Sequence, residues 1–308
     1  MSQPIQIRMG GYGPPTTTFS RALKMIGDDL ETEFGDGLEV KYVWNILDFG
    51  YRSADTLWMA EHGILTLAYQ STSYLSDRVP ELGFTDLPFL FRDNEHARSA
   101  MDGALGDYLK ERIEDRVGYR VLGFFENGFR HISNSLRPVR SPTDLVGMKI
   151  RVLPSKIHAR SFELFGAKPL PIDLVDALEG IVAGTIDAQE NPLANTLAYG
   201  VSKYHRFHTL TGHFYVSRGI FANRVAFEAL PDSVQAAFRR AVEKAVLSQR
   251  DLAVREEEIA RRAIVDSGGE IIELTPAERT AFVDAVQPLR EEAHSLFAEE
   301  LFERLAEA

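Results

Sequence analysis

The chain has 308 residues, 44% of them apolar and 26% charged, which suits a globular protein of two domains better than one. Its net charge of −11 and pI near 5.3 argue against nucleic acid as a partner and leave any anion site to a local focus of cations. The absence of cysteine excludes disulfides, thiol catalysis and Cys-based metal sites, and no apolar run reaches membrane-spanning length.

Ile5, Ile7 and Met9 alternate as a first strand, entered almost at once with no secretory signal before it, a start that by itself points to the cytoplasm. GGYGPPTTT follows as a loop, and Phe19, Leu23, Ile26 and Leu30 mark a helix. A strand at 38–44, a helix near 53–62 and a strand at 64–69 complete a βαβαβ pattern, the opening of a doubly wound α/β domain. The glycines of Gly11-Tyr12-Gly13 do not form GxGxxG, so a dinucleotide fingerprint fails. Ser71, Thr72 and Ser73 follow the third strand, where their hydroxyls either bind polar groups or cap a helix.

A second α/β pattern begins near Phe124. Lys149 and Arg151 alternate with Met148, Ile150 and Val152, so a strand puts the apolar set on one face and Arg151 on the other, just before Leu153-Pro154 ends it. The carboxyl ends of strands in α/β folds are where ligands sit, and a guanidinium can take a carboxylate by two parallel hydrogen bonds. The alternative is an arginine paired with an internal acid or lying along the surface. Arg130 lies 21 positions before Arg151 and Asn191 40 positions after it, each beside a strand that ends in a turn. Asn191 precedes Pro192 and can equally cap that turn.

Pro231-Asp232-Ser233 opens a helix that runs to about Asp266 and stops at Gly268-Gly269. At about 1.5 Å per residue it reaches roughly 50 Å. Its Ala-rich stripe does not keep a heptad for long, which counts against a coiled coil. No internal repeat or low-complexity linker is present. His205, His208 and His213 lack a matched acidic ligand for a metal, Glu256-Glu257-Glu258 read as a solvated helix face, and no nucleophile elbow or P-loop occurs.

Six segments occur together and in order: FTDLPFLFRDNEHA (84–97), ENGFRHISNS (126–135), DLVGMKIRV (144–152), GAKPLPI (166–172), GTIDAQENPLA (184–194) and LTGH (210–213). In these the chain closely resembles the DctP family, the substrate-binding proteins of TRAP (tripartite ATP-independent periplasmic) transporters. The resemblance implies a two-lobed periplasmic-binding-protein-like α/β fold. Lobe one would be 1–127 plus 217–255 and lobe two 128–216 plus 256–308, joined by a three-crossing hinge and a long helix across both lobes. A small organic acid would be trapped as the lobes close, in the manner of a flytrap, and passed to a membrane permease driven by an ion gradient. The resemblance also implies a periplasmic monomer with its signal peptide removed, no catalysis, no cofactor or metal, no nucleic acid and no membrane insertion. Two readings compete with it: an enzyme acting on a carboxylated substrate in the same cleft, and a ligand-sensing subunit of a signalling system.

By the same resemblance Arg151 is the principal carboxylate clamp and Asn191 supplies an amide, both donor and acceptor. Arg130 holds the family's second arginine position, where it binds ligand or steadies neighbouring acids. Tyr12, Ser71 and Thr72 are first-lobe contacts. The chain departs from the common family pattern at Asp173-Leu174, where many members carry an aromatic, and across WNILDFGYRSADTL (44–57). Asp173 would repel a second carboxylate, and Trp44, Tyr51 and Tyr12 can stack on a sugar or aromatic ring. These departures shift the expected ligand from a simple C4 dicarboxylate to a hydroxylated monocarboxylate such as a sugar acid, with a bulkier monocarboxylate next.

Overall fold

A computed structural model describes residues 3–308; Met1 and Ser2 lie outside the described residues. Among the described residues there are nine strands: β1 Ile5–Gly10, β2 Leu38–Val43, β3 Leu67–Ser71, β4 Tyr119–Asn134, β5 Lys149–Val152, β6 Lys168–Pro171, β7 Ala188–Asn191, β8 Phe207–Asn223 and β9 Glu270–Ile272. The chain forms two compact units. One comprises the residues through Thr72 with Asp107–Glu126 and Ser217–Val254; the other comprises Ser73–Gly106, Asn127–Val216 and Arg255–Ala308.

In the first unit β1 pairs in parallel with both β2 and β3, and β3 pairs antiparallel with the distal half of β8. The helix Thr18–Phe34 packs on β1 and β2. Thr17 caps it by accepting the Ser20 N–H, Gly35 ends it with a positive φ, and Phe19, Leu23, Ile26 and Leu30 form its buried stripe. Each such side chain taken fully from water contributes roughly 1.5–3 kcal/mol before the entropy of ordering it is subtracted. The helix Asp232–Asp266 starts within the expected Pro231-Asp232-Ser233 and buries Val234, Phe238, Ala241, Val242 and Ala245 in this unit.

In the second unit β4 pairs antiparallel with β7, β5 lies between β7 and β6 in parallel, and β9 pairs with the proximal half of β8. One core joins Ile132, Ile150, Val152, Ala188, Phe162, Phe214 and Phe282. Ile150 and Val152 are the apolar set read from the KIRV alternation. A smaller cluster packs Leu193 against Ala260 and Ile264 of the long helix.

The units differ from the expected lobes over residues 73–106, which belong with the second unit and not the first. The physical reason is a set of long-range contacts. The Phe84 ring meets Phe297 and Phe302 edge to face at 5.7 and 4.9 Å. Phe89, held at a φ of 54°, donates its N–H to the His213 carbonyl at 2.8 Å. The Ser73 hydroxyl donates to Asp86 at 2.7 Å, and Asp86 faces His158 at 3.4 Å.

Candidate functional site

Arg151 lies on β5 between Leu170 of β6 and Gln189 of β7, on the face opposite Ile150 and Val152. It is only 1% exposed. Its Nε donates to the Ile172 carbonyl at 3.1 Å and its Nη2 to the Tyr74 hydroxyl at 3.2 Å. Both acceptors are neutral, and among the described residues no carboxylate pairs with this guanidinium. Three cavities of the second unit, of about 470, 320 and 350 Å³, are lined by other residues.

Asn191 ends β7 and shares its face with Gln189, the neighbour of Arg151. Its Nδ2 donates to Gln189 Oε1 at 3.2 Å and its Oδ1 accepts from Asn195 at 3.3 Å; Asn195 also donates to Asn127 at 2.8 Å. Capping of the turn beyond Pro192 falls instead to Glu257, whose carboxylate accepts the N–H groups of Leu193 and Ala194 at 2.8 and 2.9 Å. Burial pushes the Glu257 carboxyl up, and those two N–H groups work against that rise. The side chain of Asn191 is thereby released from the turn and held in an amide row beside Arg151.

Arg130 has the opposite surroundings. From β4 it meets Glu190 on the other face of β7, its Nε bonding one carboxylate oxygen and its Nη2 the second at 2.9 Å and the Glu190 carbonyl at 2.6 Å. Both residues are buried, and His213 Nε2 lies 3.8 Å from the same carboxylate. Burial alone would raise the Glu190 carboxyl, but the charge and hydrogen bonds of Arg130, with the His213 ring nearby, outweigh it and hold the group far below the usual carboxylate range.

Asp173 accepts the Val175 N–H at 3.1 Å as the cap of the helix Leu174–Val182, and Leu174 is buried as its first residue. The cap fixes the backbone just after Ile172, the residue that holds Arg151 Nε.

In the first unit Tyr12 is 4% exposed and forms a bridge with Asn45, and its ring lies 5.4 Å from that of Tyr69. The Trp44 indole stacks on Tyr42 at 4.2 Å with an 8° tilt, so one of its faces is already used. Tyr51 is 45% exposed. Thr72 donates to the Ser217 carbonyl at 3.2 Å, a structural bond. Ser71 ends β3 with a buried Oγ that has no hydrogen-bond partner.

The three histidines set aside as packing groups are all buried. His205 bonds Ser133 at 2.9 Å, His208 faces the His205 carbonyl at 3.0 Å, and His213 faces Thr211 at 2.6 Å. Among the described residues no cluster of three His or acidic side chains is placed to hold a metal. Tyr74, Gln189 and Glu190, which lie beside the two arginines, were not among the expected residues, although the last two directly precede the motif residue Asn191 and strand alternation separates their faces. Tyr74 had no such signal: it lies 77 positions from Arg151.

Two α/β units, with a buried arginine on β5 that no acid pairs, fit a solute-binding protein in class. The model of the bacterial extracellular solute-binding protein family 7, DctP, matches residues 12–296, and the chain belongs to that family. A solute-binding protein of Verminephrobacter eiseniae is 30% identical over 93% of this chain and 84% of its own length. The 2,3-diketo-L-gulonate-binding periplasmic protein of Escherichia coli is 33% identical over 73% of this chain and 67% of its own. The crystal structure of a TRAP periplasmic solute-binding protein from Polaromonas sp. JS666 bound to D-erythronate superposes with a TM-score of 0.91 at 27% identity, covering 98% of both chains. Members of the family are extracytoplasmic solute-binding proteins that take small carboxylates and work with TRAP membrane permease subunits. Among the described residues no helix is long and apolar enough to cross a membrane.

Proposed function

We propose that this protein is a non-catalytic TRAP receptor for a sugar acid, and that Arg151 takes the ligand carboxylate with Asn191 and Gln189 beside it. The observation that carries the reading is the missing anion. A fully buried guanidinium is costly unless it is paired, and Arg151 is held by one carbonyl and one hydroxyl only. A ligand carboxylate supplies the charge that the protein withholds. The neighbouring amides supply donors and acceptors for a hydroxyl next to that carboxylate. Diketogulonate and erythronate, named for the two relatives above, are both hydroxylated acids of this kind.

In this reading Arg130 belongs to the scaffold. Glu190 engages two of its three guanidinium nitrogens, and only Nη1 is left without a bond to that residue. The receptor acts outside the cytoplasm after removal of a leader, in keeping with the periplasmic relative. Calorimetry against a panel of aldonate, uronate, aliphatic and dicarboxylate ligands tests the reading, with NMR of the recovered ligand. Tight binding of an acid that is returned unchanged supports it. Turnover of the acid, or Arg151→Ala binding as tightly as the parent, overturns it.

A further inference from the structure

Residues of three segments singled out in the sequence meet at the cavity of about 350 Å³ in the second unit, and the Arg151 reading uses none of them. Arg92 and Asn94 come from 84–97, His131 from 126–135, and Thr211 and Gly212 from 210–213. Arg279 joins them from the helix Pro276–Ala285.

Both arginines are exposed, and among the described residues no carboxylate lies within ion-pair reach of either. Acids outnumber bases 45 to 34 in this chain, so the lack of a partner here is not for want of candidates. Arg279 is held over the Phe89 ring at 5.2 Å, and Phe89 is the residue that takes a positive φ to reach its place. The acid at the cavity, Asp93, is engaged as a helix cap and accepts the His96 N–H at 2.8 Å. His131 adds no charge: burial pushes its pKa down to about 3, and its Nδ1 accepts the Gly212 N–H at 3.2 Å. Two cations therefore face one occupied carboxylate.

Asn94 narrows the chemistry. Its amide oxygen is buried with no hydrogen-bond partner, and an acceptor left open in this way costs free energy until a donor reaches it. Guanidinium forks take oxyanions through their in-plane N–H groups. An oxyanion that also carries an O–H satisfies Asn94 as well. Sulfate has no such proton at neutral pH, and a phosphate monoester has lost most of its own, its second pKa being about 6. Free hydrogenphosphate keeps one.

We propose that this cavity is an oxyanion site for free hydrogenphosphate, with Arg92 and Arg279 taking its unprotonated oxygens and Asn94 accepting its O–H. The site is independent of the carboxylate reading of Arg151. The test is amide NMR of the full chain, following Thr211 and Gly212 during titration with sodium phosphate and with sodium chloride at matched ionic strength. Phosphate moves these signals along a saturable curve with a dissociation constant of about 1–10 mM, and chloride does not. Sulfate and glycerol 3-phosphate bind about fivefold or more weakly, because neither supplies the proton. Arg92→Ala and Arg279→Ala change exposed side chains, so both fold like the parent, and each weakens phosphate by about fivefold or more. Arg151→Ala leaves the phosphate curve unchanged. A shift that never saturates, sulfate bound as tightly as phosphate, or a curve unaltered in both Arg92→Ala and Arg279→Ala overturns the proposal. So does a curve lost in Arg151→Ala, which would put the anion at the carboxylate site instead.

Discussion

Arg130 and Arg151 sit in the same unit, are each 1% exposed, and are treated in opposite ways. Arg130 meets the Glu190 carboxylate through two nitrogens, whereas Arg151 rests on the Ile172 carbonyl and the Tyr74 hydroxyl. Burial is therefore no guide to function here; the partner is. A charge matched inside the protein stabilises the scaffold, while a charge matched only by neutral groups keeps its strongest interaction for a ligand.

The largest expected effect falls on the matched pair. Glu190→Ala strands a buried guanidinium and should cost about 3–5 kcal/mol. At about 2–4 °C per kcal/mol that lowers the melting temperature by roughly 6–20 °C, read by calorimetry of the ligand-free protein. Acid sharpens the same point. Glu190 has a depressed carboxyl in the folded state, so its contribution is present above the ordinary carboxylate range and is lost as pH falls below it. Three histidines act earlier. His131, His205 and His208 are pushed down from 6.5 to about 3, 3 and 4, mainly by burial, so the unfolded chain binds protons that the folded one does not. Stability should fall as pH drops from 6.5 toward 4, then fall further as Glu190 protonates. A melting temperature flat from pH 7 to 4 would contradict the histidine assignment, and one that falls no further below pH 4 the Glu190 assignment.

Arg151→Ala should invert this pattern. Removing a buried charge with no acid partner leaves the melting temperature of the free protein within a few degrees of the parent. Acid affinity falls by about 100-fold or more, the loss expected on truncating one side of a buried charged contact. Arg151→Lys retains the charge without the fork and should lose about tenfold or more. If Arg151→Ala instead melts as low as Glu190→Ala, with affinity unchanged, the contrast between the two arginines disappears.

What could be read in advance follows the range of the interactions. Alternation in KIRV placed Arg151 opposite Ile150 and Val152 because a strand's two faces are local, and the Pro-Asp-Ser start and double-glycine stop of the long helix are local too. The partner that separates Arg130 from Arg151 lies 60 positions from Arg130, beyond any periodicity. Residues 73–106 cluster with the second unit through anchors, Phe297 and Phe302, that lie more than 200 positions from Phe84. The N–H groups after Pro192 find their acceptor in Glu257, from a helix 64 positions beyond Leu193. Arg279 carried no motif at all, and only the fold brings it to one cavity with Arg92.

The smallest effect concerns how Arg151 is aimed. Tyr74 gives its Nη2 an acceptor while Ile172 holds Nε, so two fixed points set the plane of the guanidinium before any ligand arrives. Tyr74→Phe keeps the ring and deletes one of those points. The free arginine then samples more orientations and must be ordered on binding, an entropic cost of about 0.5–1.5 kcal/mol for a side chain of this kind. Affinity for the carboxylate should fall by roughly 2- to 10-fold through that term. The fall should be shared by galactonate and hexanoate alike, because the carboxylate end is common to both. A Tyr74→Phe protein that melts lower but binds both acids like the parent would make the tyrosine a packing residue. Arg151 would then be positioned by the Ile172 carbonyl and its cross-strand neighbours without help from the turn.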